Sequence, residues 1–349
     1  MSPGGWRGAD PRAAVVGIAG PELDAQEREL LLALPPAAVI LFQRNCIDRA
    51  QLRALTDEIH ALGGDRRLPV LIDQEGGRVM RLRPPEWRAL PAAGEIGRLA
   101  RELPAAAREA AWLAGRLIAH DLREVGIDVD CAPCLDVAAA GMTEAIGSRS
   151  YASDPSLVAT LARSFADGLL AGGIAPVIKH LPGHGRATVD SHHALPVVRA
   201  AMAELDPTDF LPFAALRDLP FAMTCHVVFE ALDPDRAATI SSRVIAETIR
   251  GRLGVQGLLF SDDLNMEALA GDPASRAVAA LEAGCDLALF CPGRLADNRA
   301  VLQAVPALAP SVRARLDGVL ADTAARADLD FDAAAGERRL TDLLSGTPA

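Results

Sequence analysis

The segment 179–196, KHLPGHGRATVDSHHALP, holds the residues of this chain that are best suited to chemistry. Four of the seven histidines fall within fourteen of its residues, beside a lysine, an arginine and an aspartate. An apolar run at 173–178 leads into the segment, and Pro182 with two following glycines rules out a continuing helix. The pattern predicts a buried strand that ends here and passes its polar residues to a loop. In a barrel of parallel strands, catalytic residues collect at that end.

Asp190 and His192 are candidates for proton transfer, with only Ser191 between them. In a loop, the carboxylate can accept a hydrogen bond from one ring nitrogen, which fixes the tautomer and leaves the other nitrogen free to move a proton. The spacing therefore indicates a general acid/base pair. A salt bridge within the loop would explain the same two residues, and the local pattern leaves that alternative open.

A metal site is the rival explanation for so many histidines. His180 and His184 are four residues apart, but zinc ligands at that spacing need a helix to face the same way, and Pro182 prevents one. The run P-G-H-G-R also lacks the Gly-Lys-Ser/Thr pattern of a phosphate-binding loop. Cys131 and Cys134 form a C-x-x-C with no second pair, so we expect buried thiols. We predict a site without a metal.

Two adjacent carboxylates, Asp262 and Asp263, follow the apolar run 257–260. Consecutive strand residues point to opposite faces, so the alternation predicts that only one of them aims into a barrel mouth. A carboxylate in that place can act as a nucleophile or stabilise a cationic transition state. The local chemistry does not distinguish between the two residues.

Asp73 follows another apolar run and is accompanied by Arg78 and Arg81, while Arg149 precedes an Asp-Pro helix start. Carboxylates and guanidinium groups together suit the vicinal hydroxyls of a sugar. An Asp–Arg pair that only braces a loop is the open alternative for either arginine.

Eight short apolar runs alternate with helix-like stretches rich in alanine, leucine, arginine and glutamate. Continuously apolar strands are typical of a parallel sheet that is covered on both faces. The alternation predicts a (β/α)8 barrel in a single domain, 1–349, with a core at about 13–304 and C-terminal helices at about 305–345. The predicted strands are 13–18, 37–42, 69–72, 127–132, 175–178, 221–224, 257–260 and 286–290. The predicted helices are 25–34, 49–62, 104–124, 157–171, 242–253 and 273–283.

The composition limits the possible partners. The chain has 349 residues and a formal net charge of -11, with no basic stripe that could neutralise phosphates, which argues against nucleic acid and anionic membranes. No sustained apolar region precedes Asp10, and no stretch approaches the roughly 18 apolar residues of a membrane span. We therefore expect a cytoplasmic protein that acts on a small solute.

The polar motifs, taken together, resemble family 3 glycoside hydrolases, in the single-domain bacterial β-N-acetylglucosaminidase branch that serves peptidoglycan recycling. The resemblance covers roughly 15–293, and its strongest elements are K-H-x-P-G-H-G and D-x-H. Leu181 and Asn265 depart from the usual residues, and 138–145 matches nothing in the family pattern. The motifs are IDQEGGRVMR at 72–81, GSRSYASDP at 147–155, KHLPGHG at 179–185, DSH at 190–192 and SDDLNM at 261–266.

The resemblance implies a role for each matched residue. Asp262 corresponds to the nucleophile, and His192 to an unusual histidine acid/base that Asp190 orients. The residues that correspond to ligands of the terminal N-acetylglucosamine are Asp73, Arg81, Arg149, Lys179 and His180.

The activity implied is that of an exo-acting, retaining enzyme that removes terminal N-acetylglucosamine from N-acetylglucosaminyl-1,6-anhydro-N-acetylmuramic acid fragments. We expect a monomer that needs neither metal nor organic cofactor. Three alternatives stay open: a glycoside phosphorylase, a β-glucosidase and a non-catalytic sugar-binding protein. Phosphate dependence, tolerance of a missing 2-acetamido group, and binding without turnover would distinguish them, respectively.

Overall fold

The structure, a computed structural model, describes residues 10–64, 66–191 and 194–346. The described strands are β1 (Arg12–Gly17), β2 (Pro36–Leu41), β3 (Val70–Ile72), β4 (Val129–Asp130), β5 (Ala175–Leu181), β6 (Val197–Val198), β7 (Phe221–Thr224), β8 (Val228–Phe229), β9 (Asp233–Ala237), β10 (Leu258–Asp263) and β11 (Leu287–Phe290).

Eight of these strands close into a parallel barrel in the order β1-β11-β10-β7-β5-β4-β3-β2. This confirms the predicted fold, a single domain with a (β/α)8 barrel and C-terminal helices. Each predicted apolar run overlaps one barrel strand, and 221–224 matches β7 at both ends. A small separate sheet, β6-β8-β9, was not predicted.

Helices surround the barrel. The described α-helices are α1 (Ala25–Ala33), α2 (Arg49–Leu62), α3 (Ala93–Leu99), α4 (Pro104–Glu124), α5 (Pro155–Ala171), α6 (Met202–Leu205), α7 (Leu211–Ala215), α8 (Pro273–Ala283), α9 (Leu295–Ala304), α10 (Pro310–Ala325) and α11 (Ala333–Ser345). Short 3₁₀ helices span Gln43–Asn45, Gly147–Arg149 and Ala238–Ile240. No helix in the described ranges is long and apolar enough to cross a bilayer.

The helix starts follow from capping chemistry. Asp154 accepts hydrogen bonds from the amides of Ser156 and Leu157 at the start of α5. Asp272 accepts one from the Ser275 amide at the start of α8, and in each helix a proline stands in the first turn. The predicted helix 242–253 is instead π-helical over Val244–Arg252, where the Leu253 amide donates to the Thr248 carbonyl five residues back. The apolar spacing of a single such segment does not distinguish the two helix types.

Alternate strand residues pack into two separate cores. One set, which includes Val15, Val177 and Phe260, fills the barrel, and Phe221 and Phe260 meet edge to face at 5.6 Å. The other set packs under the surrounding helices. Leu316 of α10 joins the inner set, and the amide of Ala13 bonds to the carbonyl of Pro306, so the C-terminal region closes the amino end of the barrel. The opposite end stays open for a site.

Candidate active site

The carboxyl ends of the barrel strands surround an open cavity of about 330 Å³. The predicted site residues in the described ranges all line it, so Asp73 and Asp262 share one rim. His226 follows the apolar run 221–224, and a polar residue in that place is expected at the same rim, but His226 does not line the cavity. The polar residues lining the cavity are Asp73, Arg78, Arg81, Arg149, Lys179, His180, His184, Asp190, Asp262 and Asp263.

Three cations and two carboxylates form a continuous network on one side of the cavity. Lys179 Nζ lies 2.8 Å from both Asp73 Oδ1 and Glu75 Oε1. Arg81 donates to Asp73 at 3.0 Å, and Arg149 holds Glu75 through two parallel bonds of 2.7 and 2.8 Å. The fork of a guanidinium matches a carboxylate in this way. The network leaves one net positive charge, since three cations face two anions.

Burial and charge act in opposite directions on these groups. Burial alone would lower the pKa of the Lys179 ammonium, but the Asp73 and Glu75 carboxylates raise it above its usual value. Burial would raise the pKa of Glu75, but Arg149 and Lys179 lower it to about 2. Lys179 and Arg81 likewise overcome burial and hold the pKa of Asp73 below its usual range. All these groups are therefore charged at neutral pH, and they form a rigid polar wall.

Asp136, a buried residue behind the lining of the cavity, accepts bonds from both histidines of the K-H-L-P-G-H run. Its Oδ2 lies 2.6 Å from His180 Nδ1, and its Oδ1 accepts the His184 amide at 2.6 Å. The Asp136 side chain is fully buried. Burial would raise its pKa, but the imidazole of His180 and the groups of His184 lower it below its usual range.

Cys134, Asp136 and His180 place potential ligand atoms within 4.8 Å of one another, as a metal site would. Their polar atoms already bond to each other, because Cys134 Sγ donates to Asp136 Oδ2 at 3.1 Å and the same oxygen contacts His180. The three side chains thus have the geometry of a hydrogen-bonded cluster.

Asp262 and Asp263 both line the cavity, so the prediction that strand alternation lets only one reach it was wrong. The two carboxylates differ in their bonds instead. Asp263 Oδ1 accepts the amides of Asn265 and Cys291 at 3.0 and 3.1 Å, which ties it to the backbone. Asp262 Oδ1 accepts the Asp263 amide at 2.8 Å, and its Oδ2 has no hydrogen-bond partner among the described residues.

The pKa values of the two carboxyls also differ, since that of Asp262 is lowered and that of Asp263 is raised. Burial would raise the pKa of Asp262, but the imidazoles of His180 and His226 and the Asp263 amide lower it below its ordinary value. Burial raises the pKa of Asp263 despite its amide donors. Asp262 is therefore the carboxylate that is both ionised and available to react.

His226 lies behind this pair and is fully buried. Its Nε2 lies 3.0 Å from the carbonyl oxygen of Asp263, which can only accept, so Nε2 carries the proton. Its Nδ1 lies 2.8 Å from the hydroxyl oxygen of Thr239, which donates to the Cys225 carbonyl at 2.9 Å. Burial lowers the pKa of His226, and the ring packs under the end of β10 through its contact with the Asp263 carbonyl.

His184 contacts Ser191, the residue between the two members of the predicted acid/base pair. Its Nε2 lies 3.1 Å from the hydroxyl of Ser191, and both side chains are buried. Asp190 lines the cavity. His192 lies outside the described residues, so its position relative to Asp190 stays a prediction.

The N-terminal domain of glycosyl hydrolase family 3 matches residues 13–320, nearly nine-tenths of the chain. This chain belongs to that family.

Two bacterial relatives of this family 3 chain are both β-hexosaminidases. A β-hexosaminidase of Bordetella avium is 42% identical over 285 residues, covering 80% of this chain and 81% of the relative. A β-hexosaminidase of Alkalilimnicola ehrlichii is 45% identical over 283 residues, with coverages of 79% and 80%. The chain is accordingly a glycoside hydrolase that acts as a β-N-acetylhexosaminidase.

Two solved structures superpose on nearly the whole of this chain. NagZ from Neisseria gonorrhoeae in complex with N-trifluoroacetyl-D-glucosamine superposes with a TM-score of 0.85 at 30% identity, covering 97% of this chain and 99% of that chain. A family 3 β-N-acetylglucosaminidase from Paenibacillus sp. has a TM-score of 0.78 at 32% identity, covering 97% of this chain and 62% of that chain.

The family 3 barrel also corrects the expected location of the polar residues. Lys179 and His180 lie within β5, and Asp262 and Asp263 lie within β10, so these residues belong to the strands and not to the loops that follow. The pairing of these strand ends is irregular, because the register with β7 shifts between Ile178 and Leu181 and the register with β11 shifts between Phe260 and Asp263.

Two polar residues of the site were missed from the sequence. Glu75 lies within the motif IDQEGGRVMR at 72–81, but only Asp73, Arg78 and Arg81 of that motif were considered as candidate site residues. Asp136 comes four residues after the end of the fourth apolar run, 127–132, so no abrupt change from apolar to polar residues marks it in the sequence. Neither its partners nor its burial could be read from the sequence, because they come from β5, which is distant along the chain.

Proposed function

We propose that this enzyme is an exo-acting, retaining β-N-acetylglucosaminidase that uses Asp262 as its nucleophile and His192 with Asp190 as its acid/base pair. The observation that carries the proposal is the occurrence of an ionised, available Asp262 carboxylate opposite a charged polar wall in one cavity of a family 3 barrel.

The first chemical step forms a bond between Asp262 Oδ2 and the anomeric carbon. The glycosidic C–O bond breaks as His192 gives its proton to the departing oxygen. In the second step, water attacks the anomeric carbon, His192 takes the proton of the water, and the carboxylate of Asp262 is released. Two inversions at the same carbon leave the β configuration unchanged.

The polar wall supplies the binding of the terminal sugar in this proposal. Asp73 offers acceptor oxygens, and the guanidinium groups of Arg81 and Arg149 offer donors that suit the vicinal hydroxyls of N-acetylglucosamine. Lys179 and His180 complete the set. The mutual ion pairs hold these groups in place before the substrate arrives, which lowers the cost of ordering them on binding.

The natural substrate in this proposal is an N-acetylglucosaminyl-1,6-anhydro-N-acetylmuramic acid fragment from peptidoglycan recycling. The support for it is the similarity of the motifs to the bacterial branch of the family. We place the reaction in the cytoplasm and expect a monomer of one folded unit, with a core at 13–304 and C-terminal helices at 305–345.

A covalent label tests the nucleophile. A 2-acetamido-2-deoxy-5-fluoro glycosyl fluoride should form a stable ester, and peptide sequencing should locate it on Asp262. A label on Asp263 would transfer the role to the neighbouring residue. Stoichiometric inhibition by a thiazoline analogue without any label would instead indicate attack by the acetamido group of the substrate itself.

A substrate comparison tests the specificity. The anhydro-disaccharide, an aryl β-N-acetylglucosaminide and an aryl β-glucoside should be assayed with and without phosphate. We expect hydrolysis of the first two, no dependence on phosphate and little turnover of the glucoside. Release of sugar 1-phosphate would identify a phosphorylase, and equal turnover of the glucoside would identify a β-glucosidase.

A further inference from the structure

Asp136 occupies a position that joins two parts of the site. It is fully buried, and one of its oxygens contacts the ring of His180 while the other accepts the backbone amide of His184. The His180 amide also approaches Oδ1, at 3.4 Å. One carboxylate therefore receives a side-chain donor and backbone donors from the same short segment.

The second ring nitrogen of His180 faces a hydrogen-bond donor, whereas the first faces an acceptor, Asp136. Arg149 NH2 lies 3.2 Å from His180 Nε2. A guanidinium group can only donate, so Nε2 must accept and Nδ1 must carry the proton that is shared with Asp136. The two contacts thus require one neutral tautomer of His180.

We propose that Asp136 is a positioning residue that fixes the tautomer of His180 and, through it, the orientation of Arg149 at the sugar site. This inference rests on the proposed function, because it assumes that His180 and Arg149 hold the terminal sugar. Asp136 itself does not line the cavity, so it acts through these residues.

Asparagine at position 136 cannot replace the carboxylate, although it has the same shape. If its amide nitrogen faces His180, the ring must accept at Nδ1, and its Nε2–H then opposes the donor of Arg149. If its amide oxygen faces His180, the amide nitrogen opposes the backbone N–H of His184. Either orientation sets two donors against each other.

The central experiment is a double-mutant cycle with Asp136→Asn and His180→Ala, assayed on an aryl β-N-acetylglucosaminide. We expect Asp136→Asn to lower kcat/KM by about 10- to 100-fold. Removal of a carboxylate that orients a histidine in a metal site has an effect of this size. The ratio of the change in KM to the change in kcat should be the same for Asp136→Asn as for His180→Ala. The double variant should lose no more than His180→Ala alone, because without the ring the amide oxygen of the introduced asparagine is free to accept the His184 amide.

Cys134→Ser is the matched control, because Cys134 bonds to the same Asp136 oxygen but does not set the tautomer. We expect this variant to keep kcat/KM within about threefold of wild type, because it leaves the contacts of Asp136 with His180 and His184 in place. Losses that multiply in the double variant would overturn the inference. So would an Asp136→Asn enzyme whose kcat falls in proportion to its folded fraction at unchanged KM.

A spectroscopic measurement removes dependence on the folding of the variant. In wild-type enzyme labelled with ¹⁵N-histidine, the His180 signals, assigned by their loss in His180→Ala, should show a protonated Nδ1 and an unprotonated Nε2. The reverse pattern would refute the inference directly.

The outcomes separate this inference from the proposed function. Full activity of His180→Ala would refute the sugar-binding role of His180. An impaired His180→Ala beside a fully active Asp136→Asn would refute the role of Asp136 alone.

Discussion

Lys179 and Glu75 form a buried ion pair of 2.8 Å at the end of β5. The same ammonium group lies 2.8 Å from Asp73, so one lysine joins two carboxylates that are contributed by the segment after β3. The pair connects neither chain neighbours nor neighbouring strands, since β4 lies between β3 and β5 in the barrel. Electrostatic attraction thus holds the polar wall together across the barrel mouth.

Glu75→Gln should change the pH dependence of stability. Glu75 has a pKa of about 2 in the folded protein against an ordinary value of 4.5, so the unfolded chain binds more protons between these values. Stability from this group is present above pH 4.5 and is lost as the pH falls toward 2, a loss of about 3 kcal/mol. The variant should therefore show a shallower fall in the free energy of unfolding over this range.

Urea unfolding at a series of pH values measures this difference. At neutral pH, Glu75→Gln should be less stable by about 3–5 kcal/mol, because it leaves buried cations without their partner. Glu102→Gln, which changes an exposed carboxylate without an ion pair in the described part of the chain, should follow the wild-type curve. If the free energy of unfolding changed with pH in the same way in all three proteins, the lowered pKa of Glu75 would be contradicted.

His192→Ala should affect substrates according to their leaving groups. General acid catalysis contributes about 100- to 10,000-fold only where the departing oxygen needs a proton. The variant should therefore lose much more kcat/KM on the natural disaccharide than on an activated aryl glycoside. Equal losses on the two substrates would show that His192 binds the sugar and does not transfer protons.

Exhaustive chelation should leave activity unchanged. Pro182 and the following glycines prevent the helix that His180 and His184 would need to face one metal, and the His180 ring is already bonded to Asp136 and Arg149. The measurement is kcat/KM before and after dialysis against a chelator. Loss of activity that added zinc restores would assign a ligand role to these histidines.

Phe331→Ala should destabilise the enzyme without impairing catalysis. The Phe331 ring packs edge to face on Trp112 at 6.3 Å and lies 4.1 Å from the guanidinium of Arg116, which joins the segment before α11 to α4. We expect a loss of about 2–3 kcal/mol, because the ring is half buried and makes both contacts.

A single cooperative unfolding transition, shifted in Phe331→Ala, would support one folded unit for the barrel and the C-terminal helices. Leu329→Ala is the control, since that side chain is 69% exposed. A separate early transition in the variant would show that the C-terminal helices unfold on their own.

The sequence predicted most of the barrel because its strands are buried on both faces and appear as continuous apolar runs. It also predicted which strand ends carry polar residues, since 179–180 and 262–263 interrupt such runs abruptly. The role of Asp136 could not be predicted, because a lone aspartate beside apolar residues does not reveal which donors will face it. The small sheet β6-β8-β9 was missed because its strands are short, and β9 is polar.

The acceptor of the His184 amide has a consequence for amide hydrogen exchange. A backbone N–H in a Pro-Gly-containing segment would ordinarily exchange quickly with solvent, but this one donates to a fully buried carboxylate at 2.6 Å. Its exchange requires an opening that also exposes Asp136, and such openings are rarer than local loop motion. Deuterium uptake at His184 should therefore be as slow as in the barrel strands, and should report on opening of the barrel itself.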